Sequence, residues 1–187
     1  MKAIKYSVGL LLSLIVFGFS NDTSCIHWDK NFKLSWSDFK GLVPPFSEHG
    51  AMASCAVKSD NKVENDSVLL IIFACFSINH SWVIKEKATE YGLNHEQRHF
   101  DIAEIHARKF RKYLYEWNKQ DNINDYILTG NELIVVKSLN AMEELYDLET
   151  NHSINKNEQG KWDRKIDSLL NVYSAYENPI VKLPRHK

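Results

Sequence analysis

The sequence predicts an α+β domain in which antiparallel strands come first and three helices follow. Apolar, β-branched segments lie before residue 80, and segments with apolar residues at helical spacing lie after it. Strands grouped before helices are typical of α+β domains. The length of 187 residues and the hydrophobic fraction of 44% suit one such domain with a sizeable core.

The first half of the chain contains three candidate strands. Residues 32–36 alternate between apolar and polar side chains, and residues 51–58 form a second candidate. Residues 68–78 are apolar and rich in β-branched side chains, which makes them the best strand in the chain. Their apolar run is continuous, so we expect this strand to be buried on both faces. Residues 61–67 are polar and predict a turn.

The second half contains three candidate helices. Residues 85–117, 132–149 and 157–176 place apolar side chains on one helical stripe. A polar connection is expected over residues 121–130. The tail from residue 178 carries no helical pattern, and we expect it to be loose.

Composition and charge exclude several classes of protein. The 23 Lys and Arg residues nearly balance the 24 Asp and Glu residues, for a formal net charge of -1. No basic excess points to nucleic acid, so we expect no nucleic-acid partner. With seven glycines and four prolines, the chain is neither fibrous nor of low complexity.

The N-terminus predicts export. Lys2 and Lys5 precede an apolar run over residues 8–19, and polar residues follow it, as in a secretory signal. The run is shorter than the about 20 residues that span a bilayer. We therefore predict a signal peptide over residues 1–20, a single domain over residues 21–187, no membrane span after cleavage, and a periplasmic or extracellular location. An uncleaved N-terminal anchor is the alternative.

Export changes the interpretation of the three cysteines, because an oxidising compartment permits a disulfide. Cys55 and Cys75 lie in two neighbouring candidate strands, so a cross-strand Cys55–Cys75 bridge is one expectation. Cys25 would then be left over. Three buried free cysteines are the alternative.

Residues 95–99 read His-Glu-Gln-Arg-His, which matches the H-E-x-x-H motif inside a helical segment. Residues four apart share one face of a helix, so His95 and His99 can reach one ion. Glu96 lies about 100° around the helix, where its carboxylate can reach a water without being a ligand. The spacing predicts a catalytic zinc ion whose activated water loses its proton to Glu96 as general base.

The position of the two histidines around the helix axis argues against a chance match to the H-E-x-x-H motif. They lie on the same side of the helix as its apolar residues Ile102, Ala103, Phe110, Tyr113 and Trp117. Two neutral histidines on a buried stripe need polar partners, and a metal ion supplies one. The alternative is a surface helix whose histidines face solvent.

A catalytic zinc ion needs a third protein ligand and one open position. His106 lies about 13 Å along the helix axis from the motif centre, so we expect it in the core. Asp101 and Glu104 point away from His95 and are expected to face solvent or to pair with Arg108. The third ligand should therefore come from later in the chain, and spacing alone does not choose among Glu132, Glu143, Glu144, Asp147, Glu149 and His152.

Four blocks of the chain, in order, resemble a bacterial domain family of unknown function, catalogued as predicted secreted zinc-dependent proteases. Residues 95–104 resemble its core motif, and residues 34–41 resemble its Trp-x-Asp-Phe-x-Gly block. Residues 81–83 match a Ser-Trp-Val that follows its long strand. Residues 146–152 resemble its Tyr-Asp-x-x-Thr-x-His block.

The resemblance spans roughly residues 30–172 and departs from the family at Ser153, where a glycine usually follows the histidine. It implies a small zincin-like domain whose first helix carries the H-E-x-x-H motif. It favours His152 as the third zinc ligand beside His95 and His99, with Asp147 as the alternative.

The resemblance also implies a function. The expected activity is that of a secreted zinc metallopeptidase with a peptide or protein substrate, one catalytic Zn²⁺ and Glu96 as general base. Tyr146 would either donate to the developing oxyanion or pack. The alternatives are a zinc hydrolase of a non-peptide or cell-wall amide, a non-catalytic zincin-like binding module, and a structural protein with a chance motif.

Overall fold

The computed structural model describes residues 24–64, 67–118 and 125–184, with the backbone alone along residues 125–132. The predicted signal peptide lies outside the described residues. The strands are β1 (Cys25–His27), β2 (Ala51–Met52), β3 (Cys55–Glu64), β4 (Ser67–Ser77), β5 (Trp82–Val83) and β6 (Ile180–Pro184). The helices are α1 (Glu90–Asn118), α2 (Asp125–Thr150) and α3 (Lys156–Val172), with short 3₁₀ turns at Trp36–Asp38, Lys85–Lys87 and Ser174–Tyr176. The α+β fold class, with antiparallel strands and three helices, is confirmed.

Strand β4 is the centre of a four-stranded antiparallel sheet. β3 pairs along one edge of β4 for its whole length, from Cys55 opposite Phe76 to Glu64 opposite Ser67. β1 and β6 share the other edge, one at each end of β4. Residues 72–76 are all buried. Because neighbouring side chains in a strand point to opposite faces, both faces are covered there, as predicted.

The predicted strand over residues 51–58 is divided into β2 and β3. The backbone N–H of Ala53 donates to Glu96 at 2.7 Å, and that of Ser54 donates to the Ser81 hydroxyl at 2.9 Å. Both donors therefore bind side chains instead of a neighbouring strand. β2 pairs with β5 in a separate ribbon, which brings this segment beside α1.

Four local expectations were wrong. Residues 125–130, expected to belong to a polar connection, are part of α2. Residues 32–36 form no strand, because the N–H of Leu34 donates to Gln97 of α1 at 2.9 Å and a 3₁₀ turn follows. Residues 61–64 continue β3, paired with β4. The tail forms β6, in which Val181 and Leu183 are buried and their neighbours are exposed. This segment has no helical pattern, but its residues alternate between exposed and buried. It forms a strand because it pairs with the free edge of β4.

Helix α1 packs against the sheet and against both other helices. This enclosure buries two acidic side chains that the helical wheel places on the solvent side. Asp101 accepts a hydrogen bond from the indole of Trp28 at 2.8 Å. Glu104 pairs with Arg108 at 2.9 Å, as expected, but inside the protein. Among the described residues, no helix is long and apolar enough to cross a membrane.

The disulfide joins Cys25 and Cys75, and Cys55 is a free thiol. The expected Cys55–Cys75 bridge was wrong because of the strand register. Cys55 lies opposite Phe76, so its side chain is on the other face of the sheet from Cys75. Cys25 lies opposite Ser77, two residues from Cys75, so the bonded cysteines share one face as diagonal neighbours.

Candidate metal centre

Three side chains from two helices converge at one point. His95 and His99 lie one turn apart on α1, and Asp147 comes from α2. The Nε2 atoms of the two histidines lie 3.1 and 3.2 Å from the same Asp147 oxygen, Oδ1. The two Nε2 atoms are 3.3 Å apart. These three residues form a group that could hold a metal ion.

Both histidine rings are oriented by a hydrogen bond at their other nitrogen. Nδ1 of His95 lies 2.9 Å from Oε1 of Gln159 on α3, and Nδ1 of His99 contacts the carboxylate of Glu143 on α2. Since both partners accept, Nδ1 of each ring carries a proton. A ring that is also protonated at Nε2 donates to Asp147, whereas a neutral ring offers its Nε2 lone pair to a metal ion, which is the usual arrangement of histidine ligands.

Tyr146 packs against the rings of both histidines. Its ring stacks on His95 with centroids 4.7 Å apart and meets the edge of His99 at 5.0 Å. Its hydroxyl donates to the backbone oxygen of His95 at 3.3 Å and accepts from Gln159 at 2.7 Å. The side chain is fully buried, and burial raises its pKa above the usual range. Of the two roles expected for Tyr146, the geometry favours packing.

Glu96 places a carboxylate beside this group without belonging to it. Its Oε2 accepts the backbone N–H of Ala53, which follows β2 directly. Burial raises the pKa of Glu96, although the nearby His99 and His95 partly oppose the shift. A carboxylate with a raised pKa is better suited to accept and return a proton near neutral pH.

The charges around the group favour a cation. Burial alone would raise the pKa of Asp147, but hydrogen bonds with His95 and His99 hold it well below its ordinary value. Burial alone would lower the pKa of His99, but the Glu143 charge and hydrogen bonds to Asp147 and Glu143 raise it well above its ordinary value. The raised pKa of His99 shows a local negative potential that stabilises positive charge between the helices, and the lowered pKa of Asp147 keeps its carboxylate ionised.

The group opens into a cleft of about 790 Å³. Its walls include the apolar side chains of Trp36, Met52, Trp82 and Ile154. A concave, mostly apolar cavity with a few convergent polar groups is typical of ligand sites. The free Cys55 also lines the cleft, and burial raises the pKa of its thiol.

The structure groups Asp147, rather than His152, with the two histidines. His152 lies at the rim, with Nδ1 at 3.5 Å from Asp147 Oδ1 and a side chain that is 47% exposed. The other candidates have different places. Glu143 contacts His99, Glu144 is exposed, and Glu149 accepts from the indole of Trp162 at 2.7 Å. The side chain of Glu132 lies outside the described part of the chain.

The turn after α2 has an unusual backbone. Asn151, His152 and Ser153 have φ values of 48°, 49° and 71°, in the left-handed region that favours glycine. The N–H of His152 closes the turn on the Asp147 carbonyl at 3.0 Å. Ser153 therefore has a conformation to which glycine is better suited.

Replacing Ser153 with glycine should therefore stabilise the protein. We expect Ser153→Gly to raise the free energy of unfolding by about 1 kcal/mol, because it relieves a left-handed conformation. Urea denaturation would measure the change. Ser153→Ala is the matched control, since alanine removes the hydroxyl but keeps the strain. Equal stability of the two variants would contradict the explanation.

Sequence reasoning missed two residues of the site, His49 and Gln159. Gln159 is a fully buried polar residue on the same α3 stripe as Trp162 and Ile166. In the sequence, this glutamine stands among apolar residues on one helical stripe. A polar side chain there is expected to be buried and to need a hydrogen-bond partner, which was the signal for Gln159. His49 lies in the segment before β2 and lines the cleft, with no pattern around it to single it out.

Comparison of the chain with protein-family models, curated proteins and solved structures finds no match to any of them. The resemblance to secreted zinc-dependent proteases therefore stays a prediction.

Proposed function

We propose that the protein is an exported zinc-dependent hydrolase that cleaves peptide bonds. The observation that carries the proposal is the triangle of Nε2 of His95, Nε2 of His99 and Oδ1 of Asp147. Its sides measure 3.3, 3.1 and 3.2 Å. Tetrahedral zinc with bonds of about 2.0–2.1 Å keeps its ligand atoms about 3.3 Å apart. The triangle has the size of one face of that tetrahedron.

The number and type of donors also suit this metal. Two imidazole nitrogens and one carboxylate oxygen are a known catalytic zinc set, and three protein ligands leave one position for water or substrate. The same three donors also suit iron(II), so a metal analysis has to measure both elements. Gln159 and Glu143 orient the two rings and would support either ion.

The bound ion would supply a Lewis acid that polarises a carbonyl and acidifies a water. Glu96 supplies the proton transfer. Its carboxylate is held by the Ala53 N–H, faces the same cleft, and accepts the water's proton before returning it to the leaving amine. The indole rings of Trp36 and Trp82 form part of the cleft wall. They exclude water there and provide an apolar surface for a substrate side chain.

Strand β2 favours an extended peptide as substrate. Among the described strands, β2 pairs with β5 alone, and Ala51 and Met52 of β2 line the cleft. An unpaired strand edge offers backbone donors and acceptors to an extended chain. A peptide lying along β2 would pass beside Glu96 and the metal-binding group.

The metal ligands can be tested by elemental analysis of the mature protein purified without chelator. We expect about one zinc ion per chain in the wild type. Asp147→Asn should weaken zinc binding by more than about 100-fold, because it removes a direct ligand. Glu144→Gln is the matched control, since Glu144 is an exposed carboxylate on the same helix. Full zinc in Asp147→Asn would contradict the ligand set.

The activity is tested by incubating the zinc-loaded protein with a mixed peptide library and, separately, with cell-wall fragments. Cleavage of peptides that stops on chelation and returns with zinc is the expected result. Cleavage of wall amides alone would replace the peptidase by a hydrolase of another amide. If the protein binds zinc but cleaves neither peptides nor wall fragments, it is a non-catalytic binding module.

A further inference from the structure

Hydrolysis of a peptide bond develops negative charge on the carbonyl oxygen, and active sites stabilise that charge with N–H or O–H donors. Tyr146 is the donor that the sequence offers for this role. Its hydroxyl is buried and already bonded to the His95 backbone and to Gln159. A donor for the oxyanion therefore has to come from the walls of the cleft.

His152 is placed to provide one. Its imidazole lines the cleft, and its Nδ1 lies 3.5 Å from Asp147 Oδ1, the same oxygen that both metal-binding histidines contact. His152 is half exposed, whereas His95 and His99 are buried. The ring therefore reaches from the edge of the metal-binding group toward the open cleft, where a substrate would lie.

A second histidine holds this ring. His49 packs against His152 with ring centroids 4.3 Å apart and planes inclined by 52°. His49 also lines the cleft, from the segment before β2. The two rings come from different parts of the chain, the segment before β2 and the turn after α2, and both are exposed. Their contact limits the positions that the His152 ring can take.

The backbone beneath His152 supports a functional role. Asn151, His152 and Ser153 are all left-handed, which is rare for residues other than glycine. Strained conformations of this kind persist where the surrounding structure holds them, and they cluster at active sites. Here the turn brings the His152 ring back over Asp147, instead of leaving it in solvent beyond the end of α2.

We propose that His152 is a further catalytic residue, whose ring N–H donates to the substrate's carbonyl oxygen beside the metal-binding group, and that His49 positions it. This assignment rests on the proposed hydrolase function. It gives His152 a different role from that of a third metal ligand, which falls to Asp147.

The test uses the zinc-loaded mature protein and a peptide that the wild type cleaves. His152→Gly removes the donor and suits the left-handed backbone, so the fold is retained. We expect it to keep its zinc and to lose about 10²–10³-fold in kcat, the usual effect of deleting one oxyanion donor. KM should change less than kcat, because the lost bond forms mainly in the transition state.

Two further variants separate the donor from the turn. His152→Asn retains an N–H donor and tolerates the left-handed backbone, so it should recover part of kcat. Asn151→Gly changes the same turn without removing the donor, and its kcat should stay near that of the wild type. His49→Ala should lower kcat less than His152→Gly, and His49→Phe should restore it by keeping the ring contact.

Several outcomes would overturn the assignment. Loss of zinc in His152→Gly would make His152 a ligand, and an unchanged kcat with zinc retained would remove it from catalysis. An Asn variant as inactive as the Gly variant would exclude the donor role. In each case an active wild type leaves the proposed function standing. A zinc-loaded wild type that cleaves no peptide would refute the proposed function, and this assignment with it.

Discussion

Replacing Glu96 with glutamine should remove hydrolysis while leaving the metal in place. The amide of Glu96→Gln can still accept the Ala53 N–H, so the contact between α1 and the segment after β2 is kept. It no longer accepts a proton from water. We expect a loss of about 10²–10⁴-fold in kcat, the usual contribution of a general base. Zinc content measured on the same sample should equal that of the wild type.

Glu48 provides the matched control for this variant. It is an exposed carboxylate that lines the same cleft and does not belong to the group that could hold a metal ion. Glu48→Gln changes the cleft charge by the same amount, and its kcat should stay within about 3-fold of the wild type. Full turnover in Glu96→Gln would refute the general-base role, whatever the metal content.

The largest expected effect on stability comes from Glu104. Its carboxylate is buried and binds two buried arginines, Nε of Arg108 at 2.9 Å and both terminal nitrogens of Arg111 at 3.1 Å. Glu104→Gln removes the carboxylate that pairs with Arg111 and leaves Arg108 with the more distant Glu177, at 3.5 Å. Breaking a buried pair in this way costs about 3–5 kcal/mol. Chemical denaturation should show this decrease in the free energy of unfolding.

The effect should extend beyond α1. Arg111 also donates to the backbone oxygens of Ile72 in β4, at 2.9 Å, and of Tyr176 before β6, at 2.6 Å. The guanidinium held by Glu104 therefore joins α1 to the central strand and to the segment that leads into β6.

Glu116 on the same helix is the control for Glu104. It pairs with Lys112, and both side chains are substantially exposed. An exposed pair contributes little, so Glu116→Gln should change the free energy of unfolding by less than about 0.5 kcal/mol. Equal effects of the two substitutions would contradict the importance of the buried network.

The secondary structure was most predictable where local patterns are strong. The apolar run over residues 68–78 became β4 (Ser67–Ser77), and the helical stripe over residues 85–117 became α1 (Glu90–Asn118). The prediction failed at residues 32–36, where a side chain of α1 takes the backbone donor of Leu34. It failed again at β6, which is ordered by the open edge of β4. Both failures depend on partners far away in the chain.

The candidate site also has one part that the sequence predicts and another part that depends on the tertiary structure. Helical geometry alone places His95 and His99 on one face with Glu96 beside them, because all three belong to one element with a known rise and twist. The grouping of Asp147, rather than His152, with the two histidines came from the tertiary structure. So did the support from Gln159 and Glu143 and the Cys25–Cys75 pairing. These depend on how helices pack and how strands align across more than 40 residues. Sequence spacing does not specify those relations, since they are set by the packing of the whole core.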